Sequence, residues 1–151
     1  MQPKIICIPP GMIEAAWPQI GPILIRGQLA AMPDHKAALA DMAELLEALG
    51  EGSAQCWVVI DDDAKQIVAA MISDITQDDD DRRVVFVSRM AGEGIAQWGK
   101  ALSDRMVEFA KAEGCAAVMF YGRSGLAKVY SRVRAVGKHP SGVDLFERAV
   151  A

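Results

Sequence analysis

Arg89-Met90-Ala91-Gly92-Glu93-Gly94 is the stretch on which the fold of this chain turns. Before it lies Arg82–Met90, an apolar run rich in Val and Phe that predicts a strand. After it Ile95, Trp98, Leu102, Met106 and Phe109 recur at every third or fourth position. This predicts a long amphipathic helix that stops at Gly114. Glycine at 92 and 94 lets the backbone turn sharply and approach a ligand closely. The first turn of the helix leaves amide N–H groups without intrahelical partners, at the positive end of the helix dipole. Together these features suit a phosphate or pyrophosphate. The dipole contributes only about 0.3–1 kcal/mol per charge, whereas a micromolar ligand needs roughly 8 kcal/mol. Most of the affinity must therefore come from the rest of such a ligand. The plainer reading of the same six residues is a glycine-rich link from strand to helix.

Working outward, Gln55–Ile60 and Gln66–Ile75 are β-branched apolar runs. With Arg82–Met90 they predict a three-stranded antiparallel meander joined by the acidic turns Asp61-Asp62-Asp63 and Asp78-Asp79-Asp80-Asp81. Four like charges predict a solvated turn. They lack the alternate spacing and distal Glu of a calcium loop. Upstream, Lys4–Ile8 predicts a short strand ended by Pro9-Pro10-Gly11. Met12–Arg26 predicts a helix with Ile13, Trp17, Ile20 and Leu24 on one face, broken or kinked by Pro18 and Pro22. Lys36–Leu49 predicts a second helix, capped at Asp34, striped by Leu39, Met42, Leu46 and Leu49, and ended by Gly50. Downstream, Cys115–Tyr121 predicts a strand buried on both faces. A turn over 122–125, a short helix over 126–133 and a closing strand over Val143–Val150 complete an α+β order around a mixed sheet.

At 151 residues the chain suits one domain over 1–151. With 52% hydrophobic and 24% charged residues it reads as a globular chain that needs no disulfide or metal for its core. No apolar run reaches the roughly 20 residues of a membrane span, and the start lacks the apolar stretch of a signal peptide. Cys7, Cys56 and Cys115 lie far apart with no CxxC, and only two histidines are present. Neither a disulfide framework nor a metal site is expected, and the expected compartment is the cytoplasm. Cys56 and Cys115 fall in apolar runs and read as buried thiols, and Trp17, Trp57 and Trp98 read as core. A net charge of −4 argues against nucleic acid. Residues 1–120 hold 10 basic against 18 acidic side chains (−8), and 121–151 hold 6 against 2 (+4), so the C-terminal part can face an anion. An open sheet edge is a candidate homo-oligomer contact.

Arg89-x-x-Gly92-x-Gly94, with a meander before it and a long helix, a buried strand and Tyr130 after it, resembles the signature of the GCN5-related N-acetyltransferases. The resemblance covers residues 4–150 in element order, and 85–130 at the level of residues. It implies a three-layer fold with a central mixed, mostly antiparallel sheet flanked by helices. It also implies acetyl-CoA as cofactor, held by the backbone of Met90, Ala91, Gly92, Glu93, Gly94 and Ile95 with Arg89 at the head, and transfer of the acyl group to a small-molecule or protein amine. A main-chain amide near Val87 would polarise the thioester carbonyl, and Tyr130 would protonate the leaving thiolate. Asp74, at the end of a strand, is the candidate base. Arg123, near Lys128, Arg132 and Arg134, is a candidate for the cofactor's 3′-phosphate. The chain departs from the family where Ser131-Arg132-Val133 replaces its Gly-Phe pair, and where Arg123 replaces an Asn seven residues before the tyrosine. The Gly-Cys at 114–115 and Gly-Arg at 122–123 also resemble small acetyltransferase-like proteins of bacteriophages. That likeness implies an alternative, an inactive copy of the fold used as a virion or assembly component among other such proteins.

Overall fold

In the computed structural model, residues 2–31, 35–122 and 132–151 are described. In chain order the described elements are β1 (Pro3–Ile8), a 3-10 turn (Pro10–Met12), α1 (Ile13–Ala31), α2 (His35–Glu51), β2 (Gln55–Asp61), β3 (Gln66–Gln77), β4 (Arg83–Gly92), α3 (Ile95–Ala112), β5 (Ala117–Gly122), β6 (Arg134–Lys138) and β7 (Asp144–Ala149). The seven strands form one sheet in the order β1-β2-β3-β4-β5-β7-β6. β4 and β5 run parallel, while the β1/β2, β2/β3, β5/β7 and β6/β7 pairs are antiparallel. The α+β class and the mixed sheet read from the sequence are therefore present. The chain divides into one compact unit of residues 1–73 with 89–99, and another of 74–88 with 100–151.

In the first unit the strand period sorts side chains onto two faces. Cys56, Val58, Ala70 and Ile72 face a core completed by Ile13, Ile20, Ile23 and Leu24 of α1 and Met42, Leu45 and Leu49 of α2. Burying each large side chain contributes about 1.5–3 kcal/mol. The helical stripe holds except at Leu39, which is 51% exposed, and Leu45 is buried in addition. α1 runs on unbroken through Pro18 and Pro22. Both prolines are exposed and lie four residues apart, so the two carbonyls that lose helical partners, Glu14 and Pro18, sit on one solvent-facing stripe where water serves them. α2 passes Gly50 and ends instead at Gly52, whose φ of 78° is left-handed. The Gly52 amide donates to Leu49 O and the Ser53 amide to Ala48 O, a Schellman end.

The β2/β3 register slips between Val59 and Ile60, which face Ala69 and Ile67. Val68 is thus a bulge residue without a partner on β2. On the opposite face from the helices, Trp57 donates its indole N–H to Ser73 Oγ, which in turn donates to Gln55 Oε1. That chain satisfies a buried indole.

In the second unit Val84, Ala117 and Met119 form a core on one face of the sheet, with Phe86 and Leu145 against it. β5 is buried only as far as Met119. Phe120 is half-buried and Tyr121 exposed. α3 ends as the sequence predicts, at Gly114 with φ 71°. The Gly114 and Cys115 amides donate to Lys111 O and Ala110 O. The sequence reading missed β6: it is wholly exposed, so it has no buried face to show as alternation. The cap at Asp34, the turn after Gly122 and residues 126–131 of the helix expected over 126–133 lie outside the described residues, while Arg132 and Val133, at its expected end, are described and are not helical.

Candidate functional site

β4 carries the Arg89–Gly94 stretch further as strand than its glycines suggest. Residues 89–92 belong to β4, and only Glu93 and Gly94 link it to α3. Three contacts within the first unit explain this. Arg89 Nη1 pairs with Asp41 Oδ2 of α2 at 2.5 Å. Ala91 packs against α1 at Gly27, where a Cβ would come within 2.7 Å of the Ala91 methyl. Gly92 has φ 141°, and a Cβ there would meet Val68 O at 2.4 Å and Ala69 Cα at 2.5 Å. Gly92 is required by close backbone approach to the bulge on β3, so its role in this structure is packing.

The bulge also decides which amides are free. Val68 O, unpaired on β2, accepts the Glu93 N–H at 3.1 Å. Glu93 O accepts the indole N–H of buried Trp98 at 2.7 Å. Gly94 O accepts the Gln97 N–H at 2.8 Å as α3 begins. Carbonyl and amide of a trans peptide point in opposite directions. With Glu93 O turned to the buried Trp98 indole and Gly94 O directed along α3 to the Gln97 amide, the amides of Gly94 and Ile95 point the opposite way, away from Trp98 and off the start of the helix. With that of Ala96 they form the first turn of α3, whose amides have no intrahelical partner. Gly94 keeps this geometry with a left-handed φ of 79°. The donors of the link are thus Gly94, Ile95 and Ala96, and the Glu93 amide is taken up internally.

The side chains around these amides are mixed in character. Glu93 is exposed beside them, and exposed Met90 and Ile95 flank the link with apolar surface. A ligand suited to the site therefore carries both an anionic group and an apolar portion. Arg89 already holds Asp41.

Of the other candidate residues, Val87 and Asp74 belong to the second unit. Val87 forms the last pair of the parallel ladder, opposite Phe120, and beyond it Tyr121 and Gly122 pair with Leu145 and Asp144 of β7. Asp74 does not end its strand, since β3 continues three residues to Gln77. Its carboxyl is half-buried, and desolvation raises its pKa above the ordinary Asp value despite a backbone hydrogen bond that lowers it. Tyr130 and Arg123 lie outside the described residues. Burial, with Cys7 nearby, pushes the Cys56 thiol up to about 12, which keeps it protonated and poorly nucleophilic.

The turn over 78–82 is less solvated than its four carboxylates suggest. Asp78 Oδ1 accepts the amides of Asp80 and Arg82, and Oδ2 pairs with the Arg82 guanidinium at 2.7 Å. Arg82 and Arg134 in turn hold the buried Glu147 carboxylate. Among the described residues no group of three or more His, Cys, Asp or Glu side chains is placed to hold a metal. Sequence reading missed the Glu147 network, whose partners are 65 and 13 residues away. It also missed the edge-to-face contacts of Tyr121 with Phe86 (5.6 Å) and His139 (5.0 Å). The Trp98 bond had a signal: an indole on the buried face of a helix must place its N–H.

Comparison with solved structures places this architecture. An acetyltransferase of the GNAT family from Staphylococcus aureus Mu50 is similar over 99% of this chain and 100% of its own, with TM-score 0.64 and 15% identity. The PaiA N-acetyltransferase of Thermoplasma acidophilum, in complex with coenzyme A, matches over 99% of both chains with TM-score 0.65 and 11% identity. The fold is that of the GCN5-related N-acetyltransferases. A predicted acetyltransferase with acetyl-CoA from Clostridium acetobutylicum shares the acetyltransferase fold over 86% of this chain and 87% of its own, with TM-score 0.57 and 12% identity. No protein-family model and no curated protein matches the sequence. The likeness is therefore one of fold, carried by the sheet and helices. Among the described residues, no helix is long and apolar enough to cross a membrane.

Proposed function

We propose that this chain, acting as a single acetyltransferase-like domain, is an acyl-CoA-dependent N-acyltransferase that passes the acyl group directly to an amine. One observation carries the proposal. Within an acetyltransferase fold, the β4–α3 link turns Glu93 O to the buried Trp98 and Gly94 O along α3, and so presents the amides of Gly94, Ile95 and Ala96 at the start of the helix. The residues present fit the cofactor's anionic part. The amides and the dipole of α3 suit a pyrophosphate, Gly94 keeps side-chain bulk away, and Met90 and Ile95 offer apolar surface to the remainder. Two similar structures were obtained with coenzyme A or acetyl-CoA. The exposed Glu93 carboxylate opposes anion binding, so the contribution of the amides is partly offset.

Bound there, acyl-CoA would supply an acyl group already activated as a thioester. The chain's part is then to hold, orient and move protons. The amides of Gly94–Ala96 hold the pyrophosphate. A main-chain N–H near Val87 stabilises negative charge on the carbonyl oxygen during attack. Asp74, whose pKa burial raises toward working pH, accepts the proton of the attacking amine. Tyr130 returns a proton to the leaving thiolate. Arg123 pairs with the 3′-phosphate. The acceptor is a small-molecule or protein amine.

Calorimetric titration with acetyl-CoA tests the proposal: saturable binding is expected. No heat and no thermal shift at millimolar acetyl-CoA would overturn it, and would favour a silent copy of the fold in an assembly role, since one fold serves many functions. Given activity, Asp74→Asn should lower kcat by roughly 100-fold, within the range general-base residues contribute. It should also remove the acidic limb of the pH–rate profile.

A further inference from the structure

We infer that Trp98 is a positioning residue for the cofactor site: its indole N–H holds the Glu93–Gly94 peptide in the orientation that aims the Gly94 amide outward. The inference rests on the acyl-CoA reading of that site.

The peptide between Glu93 and Gly94 is the one unit of the link that neither strand nor helix fixes. The preceding Gly92–Glu93 peptide is held from its amide by Val68 O on the β3 bulge. The following Gly94–Ile95 peptide is held from its carbonyl by the Gln97 amide, a contact any α3 start would make. Turning over the middle peptide changes chiefly ψ of Glu93 and φ of Gly94. A glycine accepts φ of either sign at little cost, so Gly94 does not by itself choose the orientation.

The choice falls to the bond between Glu93 O and Trp98 Nε1, 2.7 Å long and made by a side chain that is 2% exposed. Trp98 stands four positions into α3, on its buried side, and cannot follow the carbonyl outward. If the peptide turned over, a carbonyl would face the anion and the indole donor would be buried unpaired. Both outcomes are unfavourable. A buried tryptophan that never touches the ligand thus sets the sign of the dipole that the ligand meets. This gives a polar reason for tryptophan at 98, where Phe or Leu would serve packing alone.

The test compares acetyl-CoA with acetyl-pantetheine, which lacks the pyrophosphate, on wild type and on Trp98→Phe, with thermal melting of both proteins. A second variant carrying benzothienylalanine at 98 keeps the bicyclic shape and removes only the N–H. Wild type should favour acetyl-CoA, and both variants should lose roughly tenfold of that preference, the scale of one charge-assisted hydrogen bond. Their affinity for acetyl-pantetheine should not change. An unchanged preference, or an equal fall for both ligands, overturns the inference. Wild type that binds neither ligand would overturn the acyl-CoA proposal instead. The orientation itself is read without ligand from the Gly94 amide resonance, which responds to the bond on the carbonyl of its own peptide. It should move in the benzothienylalanine variant, and an unmoved resonance overturns the inference whatever the ligand results.

Discussion

The two ends of β4 solve the same problem in opposite ways. At its start, in the turn over 78–82, loose backbone amides are met from within. Asp78 bends its carboxylate over the amides of Asp80 and Arg82 and pairs with the Arg82 guanidinium. At its end, in the Glu93–Gly94 link, Glu93 O is drawn inward by Trp98, Gly94 O is bonded along α3 to Gln97, and the amides of Gly94–Ala96 are left facing away from both. One turn supplies its own anion and closes. The other is arranged to receive one. The difference teaches that glycine content does not mark an anion site. What marks it is whether nearby carbonyls are already bonded on the inside while the amides are not.

The comparison can be broken at either end. The largest effect is expected from Gly92→Ala. Its Cβ would lie 2.4 Å from Val68 O at a φ of 141°, and relief requires moving strand backbone. The expected loss is about 3 kcal/mol or more in urea unfolding. A variant of wild-type stability that fails to bind acetyl-CoA would instead return Gly92 to the anion site.

Next is Glu147→Gln, at the heart of the network behind the closed turn. Glu147 is 1% exposed and held by Arg82 and Arg134. Removing its charge should cost about 2 kcal/mol at pH 7. Burial alone would raise its pKa, but the hydrogen bonds from Arg134 and Arg82 prevail and hold it below the usual Glu value. A carboxylate whose pKa is lower folded than unfolded stabilises above its unfolded value of roughly 4.3, and that stabilisation fades as pH falls through the folded value. The gap between wild type and Glu147→Gln should therefore be full at neutral pH and close in strong acid. A gap constant down to pH 2 would refute the assignment.

A smaller effect is expected from Asp78→Ala, which strips the closed turn of its internal anion. Stability in urea unfolding should fall by less than for Glu147→Gln, through the lost hydrogen bonds to the Asp80 and Arg82 amides, without change in acetyl-CoA affinity. Smallest in stability is Gly94→Ala, where an alanine held at φ 79° costs about 1 kcal/mol. Here the ligand should respond instead, with acetyl-CoA affinity falling by roughly tenfold. If Asp78→Ala weakened binding as much as Gly94→Ala, the contrast between the two ends would fail.

Much of the frame was legible in the sequence because period and punctuation are local. The apolar, β-branched runs of β2 and β3, the stripe of α3 and its stop at Gly114 depend on neighbours a few residues apart. The prolines of α1 misled because their effect depends on where the lost bonds point, and Glu14 and Pro18 happen to face water. β6 could not be read because an exposed strand has no apolar face. Glu147 could not be read because its arginines come from distant parts of the chain. In the candidate site, the sequence located the link but could not say which amides were free. That depended on a bulge at Val68, some 25 residues upstream, and on an indole one helical turn downstream.

The amino-acid order alone determined that a strand runs to about residue 90, that a helix begins at 95, and that glycines make the passage possible. Spacing and turn chemistry act over a few residues and are written in them. The tertiary structure alone decided that Gly92 serves packing, that the Glu93 amide is bound, and that Gly94 faces outward. The direction of a peptide is set by whichever partner captures its carbonyl, and here the captors, β3 and the buried side of α3, reach the link only once the chain has folded.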